Sequence, residues 1–407
     1  MEKARQYGFL SFLIPHQMEK TVEALSIGNM QDAANALQWH IYNGLCENLK
    51  TEIKLFNILP IGSFPQYYKK MFIRKSVFET TACPNNINIG FCNLKLIRNY
   101  IIPRKIYKVL YRWCKNSLSP KTLFVYTISP SFMTALKRIK KKFPQVQICT
   151  IVADLPEMIN LSNSQNPLLK FFIKRRAKNS YANLDCVDCF VLLTKHMADR
   201  MKINKPYCVV EGIAPIRELR EEPPQDGLKR ILYTGTLHQK FGILNLLEAF
   251  KQIEDDSYRL IICGIGDSES EVRKAAEQDK RIIYLGQLPR EEVLKWQEKA
   301  TALVNPRQNN EEFTKYSFPS KNLEYLSSGK PLIAYKLDGV PDEYDPYIFY
   351  VQDNSIEALK QTLIAVCENT DGTVRMIAEN ARLFVRDQKN EVVQTRKICQ
   401  LISGNES

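Results

Sequence analysis

Apolar residues along this chain recur in two alternating rhythms. Short runs at 8–14, 51–58, 122–128, 146–153, 188–194 and 207–211 read as buried strands. Between them lie stretches of helical spacing, as at 31–47, where Ala34, Leu37, Tyr42 and Leu45 return toward one face. The alternation resumes with strands expected at 230–235, 258–263, 281–285, 301–305, 331–336 and 347–351, and helices at about 242–253, 268–279, 289–300 and 320–329. Strands that alternate with helices predict a parallel sheet covered on both faces. Two such sets predict an α/β chain with two doubly wound domains, at 1–211 and 230–372. The stretch 212–229, with Pro215, Pro223, Pro224 and Gly227, reads as a linker. Residues 373–407 are mostly helical and are expected to pack back on the first domain. Tandem open sheets leave a cleft, and ligands bind beyond the carboxyl ends of such strands.

Composition narrows the class. With 44% apolar and 25% charged residues among 407, the chain is an ordinary globular one, not disordered, collagen-like or coiled-coil. No apolar run is long enough to cross a membrane, and the first residues lack the order of a signal peptide. The 11 scattered cysteines suit a reducing cytoplasm. Cys186-Val187-Asp188-Cys189 has no second pair and enters an apolar strand, so it reads as buried thiols rather than zinc ligands.

Charge changes the picture more. Residues 1–215 carry 31 Lys+Arg against 13 Asp+Glu, and residues 216–407 carry 26 against 31. No acidic residue stands between Glu79 and Asp154, while 13 basic ones lie from Lys95 to Lys142. Nucleic acid, an anionic membrane surface or phosphorylated substrates are the candidate partners. The stretch 94–113 interleaves cations with Leu, Ile, Tyr and Trp; Pro103 splits it, and Pro103 to Lys115 predicts an amphipathic helix. A second basic-apolar stretch spans Pro167 to Arg176, including Lys170–Arg176. Such segments suit an anionic bilayer, at about 1 kcal/mol per cation near it. Ordinary domain helices with basic outer faces are the other reading. A nucleic-acid motif is lacking.

The chemistry-bearing segments follow the later strands. After the first comes Gly235-Thr236-Leu237-His238-Gln239-Lys240-Phe241-Gly242: a glycine admitting close approach, then a cation near a helix start. A plain β–α turn with a solvated lysine fits it too. The second strand ends in Cys263-Gly264-Ile265-Gly266-Asp267-Ser268, only half of a dinucleotide fingerprint. Gly286-Gln287-Leu288 at the third exit offers main chain to a flat base edge, or simply turns. Arg307 leaves the fourth strand with a planar fork suited to phosphate, or is a plain surface arginine. Then comes Tyr316-Ser317-Phe318-Pro319-Ser320-Lys321-Asn322-Leu323-Glu324-Tyr325-Leu326-Ser327-Ser328-Gly329. Its helix start, at Pro319 or Ser320, with Lys321 beside it, predicts an anion site. Glu324, one turn in, can accept both hydroxyls of a ribose, or serve only as a dipole partner.

These segments, in this order, resemble the retaining, nucleotide-sugar-dependent glycosyltransferases of family four, and among them bacterial enzymes of capsule, exopolysaccharide and O-antigen assembly. The likeness is clear over 229–350 and fainter over 1–215, at Gly8 to Pro15, Leu59 to Gly62 and Val152 to Pro156. It implies a GT-B architecture: two Rossmann-like doubly wound domains facing each other across a cleft. Donor would bind the second domain and acceptor the first. By the resemblance Glu324 holds the nucleotide ribose, Asn322 and Leu323 give main-chain donors to the diphosphate, and Gly286 to Leu288 surround the base. Gly235, Gly264 and Ser320 complete the donor side. Asp154 falls near the region where members often carry a His or Asp of the catalytic cleft, and is a candidate to orient the acceptor or, alternatively, a loop cap after its strand. The departures are Tyr316, where the family's E-x7-E motif has its first Glu, and Thr236, where many members carry a basic residue. Lys240 sits one place early for the usual Lys-Gly, so Lys240, Arg307 and Lys321 are expected to share the diphosphate. Ala153 stands where many members have His. The implied reaction needs no metal or other cofactor; the nucleotide-diphosphate sugar is a co-substrate. The implied acceptor is a saccharide, lipid-diphosphate-linked, met by a cytoplasmic protein on the inner face of the membrane. An epimerase of the same fold and a non-catalytic sugar-nucleotide-binding subunit are the alternatives.

Overall fold

The computed structural model describes residues 4–28, 32–158, 175, 178–217 and 226–404. Backbone contacts divide the chain into two units, Met1–Ile213 with Glu391–Ser407, and Ala214–Asn390.

In the first unit the strands are β1 (Gln6–Ser11), β2 (Ile53–Asn57), β3 (Phe72–Ile73), β4 (Ser76–Phe78), β5 (Asn86–Asn88), β6 (Phe91–Cys92), β7 (Lys121–Tyr126), β8 (Gln147–Val152), β9 (Cys189–Leu192) and β10 (Tyr207–Val209). Eight of them form one sheet in the order β10-β9-β8-β7-β1-β2-β5-β4. All its pairs are parallel except β4 with β5. Buried on both faces, β1, β7, β8 and β9 need near-continuous apolar runs, and the sequence supplies them. The short strands β3 and β6 pair antiparallel outside this sheet. None of β3 to β6 was expected, because two or three residues carry no periodicity to read.

Helices α1 (Glu19–Leu25), α2 (Asp32–Leu49), α3 (Ile97–Lys115), α4 (Pro130–Lys142) and α5 (His196–Met201) join these strands. The expected break at Pro103 does not occur: α3 is one helix with Pro103 inside it. Pro103 removes one hydrogen bond, but Ile102, Ile106, Leu110 and Cys114 form a buried stripe through it. Burying that stripe outweighs one lost bond.

Buried amides fix the loop after β1. Asn57 Oδ1 accepts from Ser11 Oγ and the Leu13 N–H, both at 2.9 Å, and its Nδ2 donates to Leu13 O at 2.9 Å. Gln38 brackets Phe12, accepting its N–H and donating to its O. Leu13 to Pro15 are thereby presented at the carboxyl edge of the sheet.

Among the described residues the second unit has the strands β11 (Lys229–Thr234), β12 (Tyr258–Cys263), β13 (Ile282–Gly286), β14 (Ala302–Asn305), β15 (Leu332–Ala334) and β16 (Phe349–Tyr350). They are parallel in the order β13-β12-β11-β14-β15-β16, the 3-2-1-4-5-6 order of a dinucleotide-binding fold. The order reverses between β11 and β14, so their exits define the switch point where ligands bind. Helices α6 (Ile243–Lys251), α7 (Glu269–Gln278), α8 (Arg290–Lys299), α9 (Ser320–Leu326), α10 (Ile356–Cys367) and α11 (Thr373–Gln388) complete this unit. The helix expected to reach residue 329 stops at Leu326. Ser327 and Ser328 donate their hydroxyls to the carbonyls of Glu324 and Tyr325, at 2.8 and 2.6 Å, and end it early. The last helix, α12 (Glu391–Gly404), belongs to the first unit and packs on α2. Among the described residues no helix is long and apolar enough to cross a membrane.

Candidate functional site

The exits of β11, β12 and β13 are tied to one another by main chain. The Gly235 N–H donates to Cys263 O at 2.9 Å, and the Gly264 N–H to Gly286 O at 2.8 Å. Leu237 N–H donates to Ile265 O at 3.0 Å. This closeness explains Gly264: a Cβ there would stand 1.8 Å from Gly235 O, at a φ of +143°. Gly242 is required for the same reasons, with φ +81° and a Cβ that would meet Pro306 O at 1.9 Å. Tyr325, fully buried on α9, accepts from the Thr234 N–H and donates to Thr234 O, at 2.8 and 3.0 Å. It fastens the helix carrying Glu324 to the end of β11.

Three cations surround this exit. Arg307, only 9% exposed, lies with its guanidinium carbon 4.2 Å from the Phe313 ring centre and 5.5 Å from that of Phe241. Its Nη2 donates to Ser317 Oγ at 2.8 Å, and its Nε is buried with no partner. Burial pushes the guanidinium down to about 10, against a smaller opposing effect of the Tyr233 phenol. Lys240 shares the same two rings, its Nζ 5.3 Å from the centre of Phe241 and 5.6 Å from Phe313. Among the described residues neither Arg307 nor Lys240 has a carboxylate partner. Lys321 lies on the other side: its Cε is 3.9 Å from where a Cβ on Gly235 would sit, and its Nζ is 3.5 Å from Glu324 Oε1.

Glu324 is 14% exposed. Burial pulls its carboxyl up, but Lys321, the Gln297 hydrogen bond, Arg290 and Arg217 prevail and hold it below its usual value, so it is ionised at neutral pH. Gln297 Nε2 donates to Glu324 Oε1 at 2.7 Å, and Arg290 stands 3.8 Å from Oε2.

The other expected residues fall as follows. Ser320 is exposed and opens α9, whose seven residues give it only a short dipole. The Asn322 N–H, expected as a diphosphate donor, donates instead to Pro319 O at 2.9 Å, and its side chain accepts from Asn305. Asn322 and Leu323 are both buried, and packing rather than solvent surrounds them. Thr236 and Gln287 are exposed, Leu288 is half-buried against the core, and Gly286 has open space where a Cβ would be. Tyr316 donates its hydroxyl to Glu312 at 3.2 Å.

In the first unit Asp154 follows β8 and keeps an exposed surface. The protein enclosing it nevertheless desolvates the carboxyl and pushes it up to about 6. The next strand over, β7, is followed by Thr127, whose φ of +73° is strained for a β-branched residue. His196 begins α5, half-buried. All 11 cysteines are free, Cys186 and Cys189 among the buried ones. Among the described residues no cluster of His, Cys, Asp or Glu is arranged to hold a metal ion.

Ser317, the aromatic pair Phe241 and Phe313, and the Gln297–Arg217 support of Glu324 were not expected from the sequence. Their partners lie far along the chain, and a glutamine inside a helical pattern reads as surface.

A parallel sheet in this order, with cations and a half-buried carboxylate at its switch point, fits the diphosphate and ribose of a nucleotide. Residues 216–384 match the family model of glycosyl transferases group 1, and the chain as a whole has the GT-B fold, with two Rossmann-like units. Among solved structures it is similar to sucrose-phosphate synthase from Thermosynechococcus elongatus, at 16% identity and a TM-score of 0.64, covering 98% of this chain and 99% of that one. It is similar to WaaB, a lipopolysaccharide outer core galactosyltransferase, at 14% and 0.62 with coverage of 98% and 99%. It is similar to a trehalose 6-phosphate synthase from Burkholderia multivorans, at 10% and 0.66 with coverage of 99% and 97%. Likeness at such identities establishes the fold. No curated protein sequence matches the chain.

Proposed function

We propose that the chain is a retaining transferase of family four that moves a sugar from a nucleoside diphosphate to a lipid-diphosphate-linked saccharide in surface polysaccharide assembly. The observation that carries the donor half is the cation cluster at the β11 exit, in which Arg307 and Lys240 have no acidic partner among the described residues. A buried cation without a counter-charge favours an anion strongly. As the glycosidic bond breaks, the diphosphate gathers negative charge. Arg307, Lys240 and Lys321 then stabilise the transition state more than the ground state. This assigns to side chains the neutralisation that a metal ion would otherwise supply. Ionised Glu324 accepts the ribose hydroxyls. Asp154 orients the acceptor hydroxyl, and the departing phosphate takes the acceptor proton on the same face of the sugar.

The acceptor half is supported by the surface of the first unit. On α3 and α4 the cations Arg104, Lys105, Lys108, Arg112, Lys137 and Lys141 are exposed. Beside them Leu96, Ile97 and Tyr100 are 77%, 44% and 69% exposed. Cations around exposed apolar side chains suit an anionic bilayer carrying the acceptor, on the inner face of the cell membrane. Of the second basic stretch, Lys170–Arg176, all but Arg175 lies outside the described residues.

The test is transfer of labelled sugar from a panel of nucleotide sugars to lipid-diphosphate-linked saccharides in anionic vesicles, with EDTA present, followed by NMR of the new linkage. Transfer with the donor's anomeric configuration kept is expected. An inverted linkage, or a strict need for a divalent ion, would overturn those parts of the reading.

A further inference from the structure

Glu324 does not stand alone in its helix. Gln297, on α8 and wholly buried, donates Nε2 to Glu324 Oε1 at 2.7 Å. Arg217 in turn donates Nη1 to Gln297 Oε1 at 2.7 Å and to the Glu324 carbonyl at 3.3 Å. A guanidinium has only donors, so the Gln297 oxygen must face Arg217 and its NH2 must face the carboxylate. The amide orientation is therefore set by chemistry. A surface partner for Glu324 would need no such relay, because water would solvate the carboxylate. A buried amide, itself pinned by a half-buried cation, holds a half-buried carboxylate in one rotamer through Oε1, which Lys321 approaches at 3.5 Å from another side. Arg290 stands 3.8 Å from Oε2, on a side chain that is 60% exposed.

We propose that Gln297, pinned by Arg217, is a positioning residue that presets the Glu324 carboxylate for the two hydroxyls of the donor's ribose, and so makes the enzyme select ribonucleotides over 2′-deoxyribonucleotides. The inference rests on the ribose reading of Glu324 above. Preorganisation of this kind acts through geometry: a carboxylate free to rotate accepts one hydroxyl at a time and gains less from the pair.

The experiment is calorimetric titration of the full chain with UDP, ADP and GDP and with their 2′-deoxy counterparts. Wild type should prefer the ribo form of the nucleotide it binds by about tenfold or more, the worth of a hydrogen bond to a charged group. Glu324→Ala should abolish that preference. Gln297→Leu should reduce it to about twofold or less, and raise the donor KM more than it lowers kcat. A merely structural role for Gln297 would weaken ribo and deoxy forms alike and leave their ratio at the wild-type value, which would overturn the proposal. If Glu324→Ala also keeps the ratio, the ribose reading itself fails. Gln297→Glu guards against a misfolded Leu variant, because it keeps the size and shape of the side chain and its contact with Arg217. Its ionised carboxylate offers Glu324 no donor and repels it, so the ribo preference should fall as it does in Gln297→Leu. A wild-type ratio in Gln297→Glu contradicts the proposal.

Discussion

Arg307 shows how far a single residue could be read. Its place after a strand and its planar fork pointed to phosphate from the sequence. Its burial between Phe241 and Phe313 did not, because those rings come from separate segments that only the fold unites. A buried cation without an acidic partner costs the empty protein stability, so Arg307→Met should raise the free energy of unfolding in denaturant by about 1 kcal/mol. The same change should lower kcat/KM by about a hundredfold or more, as loss of a charge-stabilising donor does. Opposite signs of the two effects mark a functional charge. Asp154 was legible by position and illegible by environment, since nothing in Ala153-Asp154-Leu155 foretells its desolvation. Its folded value of about 6 lies above the ordinary 3.8. The folded state therefore holds the proton more tightly, and this contribution to stability is full below about pH 4 and lost as pH rises through about 6. Asp154→Asn should flatten the melting temperature against pH across that window. If ionised Asp154 orients the acceptor, wild-type turnover should also fall below about pH 6, and that limb should vanish in the variant.

The elements themselves were legible where they were long. The strands β11 to β15 and the helices between them follow from apolar runs and glycines at strand ends. The helix α10, with Leu359, Leu363 and Val366 buried at helical spacing and Ser355 capping it, carries a legible pattern that was nonetheless not among the expected elements. Reading α3 as broken gave Pro103 too much weight against its buried stripe, and reading α9 too long overlooked that Ser327 and Ser328 can terminate a helix. Close packing between loops was beyond reach, as the contact of Gly264 with Gly235 shows. Gly264→Ala should destabilise the second unit by more than about 1 kcal/mol and weaken nucleotide binding with it, measured by thermal melting with and without nucleotide. Tyr325→Phe removes the hydroxyl that fastens α9 to Thr234. It should cost about 1–3 kcal/mol, because the buried Thr234 groups lose a partner.

For the whole molecule, the alternation of strands and helices predicted two parallel-sheet units, and the 3-2-1-4-5-6 order of the second places its switch point where the cations gather. Charge asymmetry, a property of the entire sequence, pointed to an anionic partner for residues 1–215, and the fold adds exposed Leu96, Ile97 and Tyr100 to the basic face. Sedimentation with vesicles should show binding to anionic but not to neutral lipid, weakening as salt rises and falling severalfold in Leu96→Ser/Tyr100→Ser. Equal binding to neutral vesicles would speak against the electrostatic part. The central claim is that the second unit holds a nucleotide sugar by its diphosphate and ribose. Its most direct test is a thermal-shift panel of nucleotide sugars on wild type and Glu324→Ala. Ligand binding raises the melting temperature by mass action. The account predicts a rise with one donor class in the wild type and its loss in the variant. No rise with any nucleotide sugar, or an equal rise in Glu324→Ala, would contradict it.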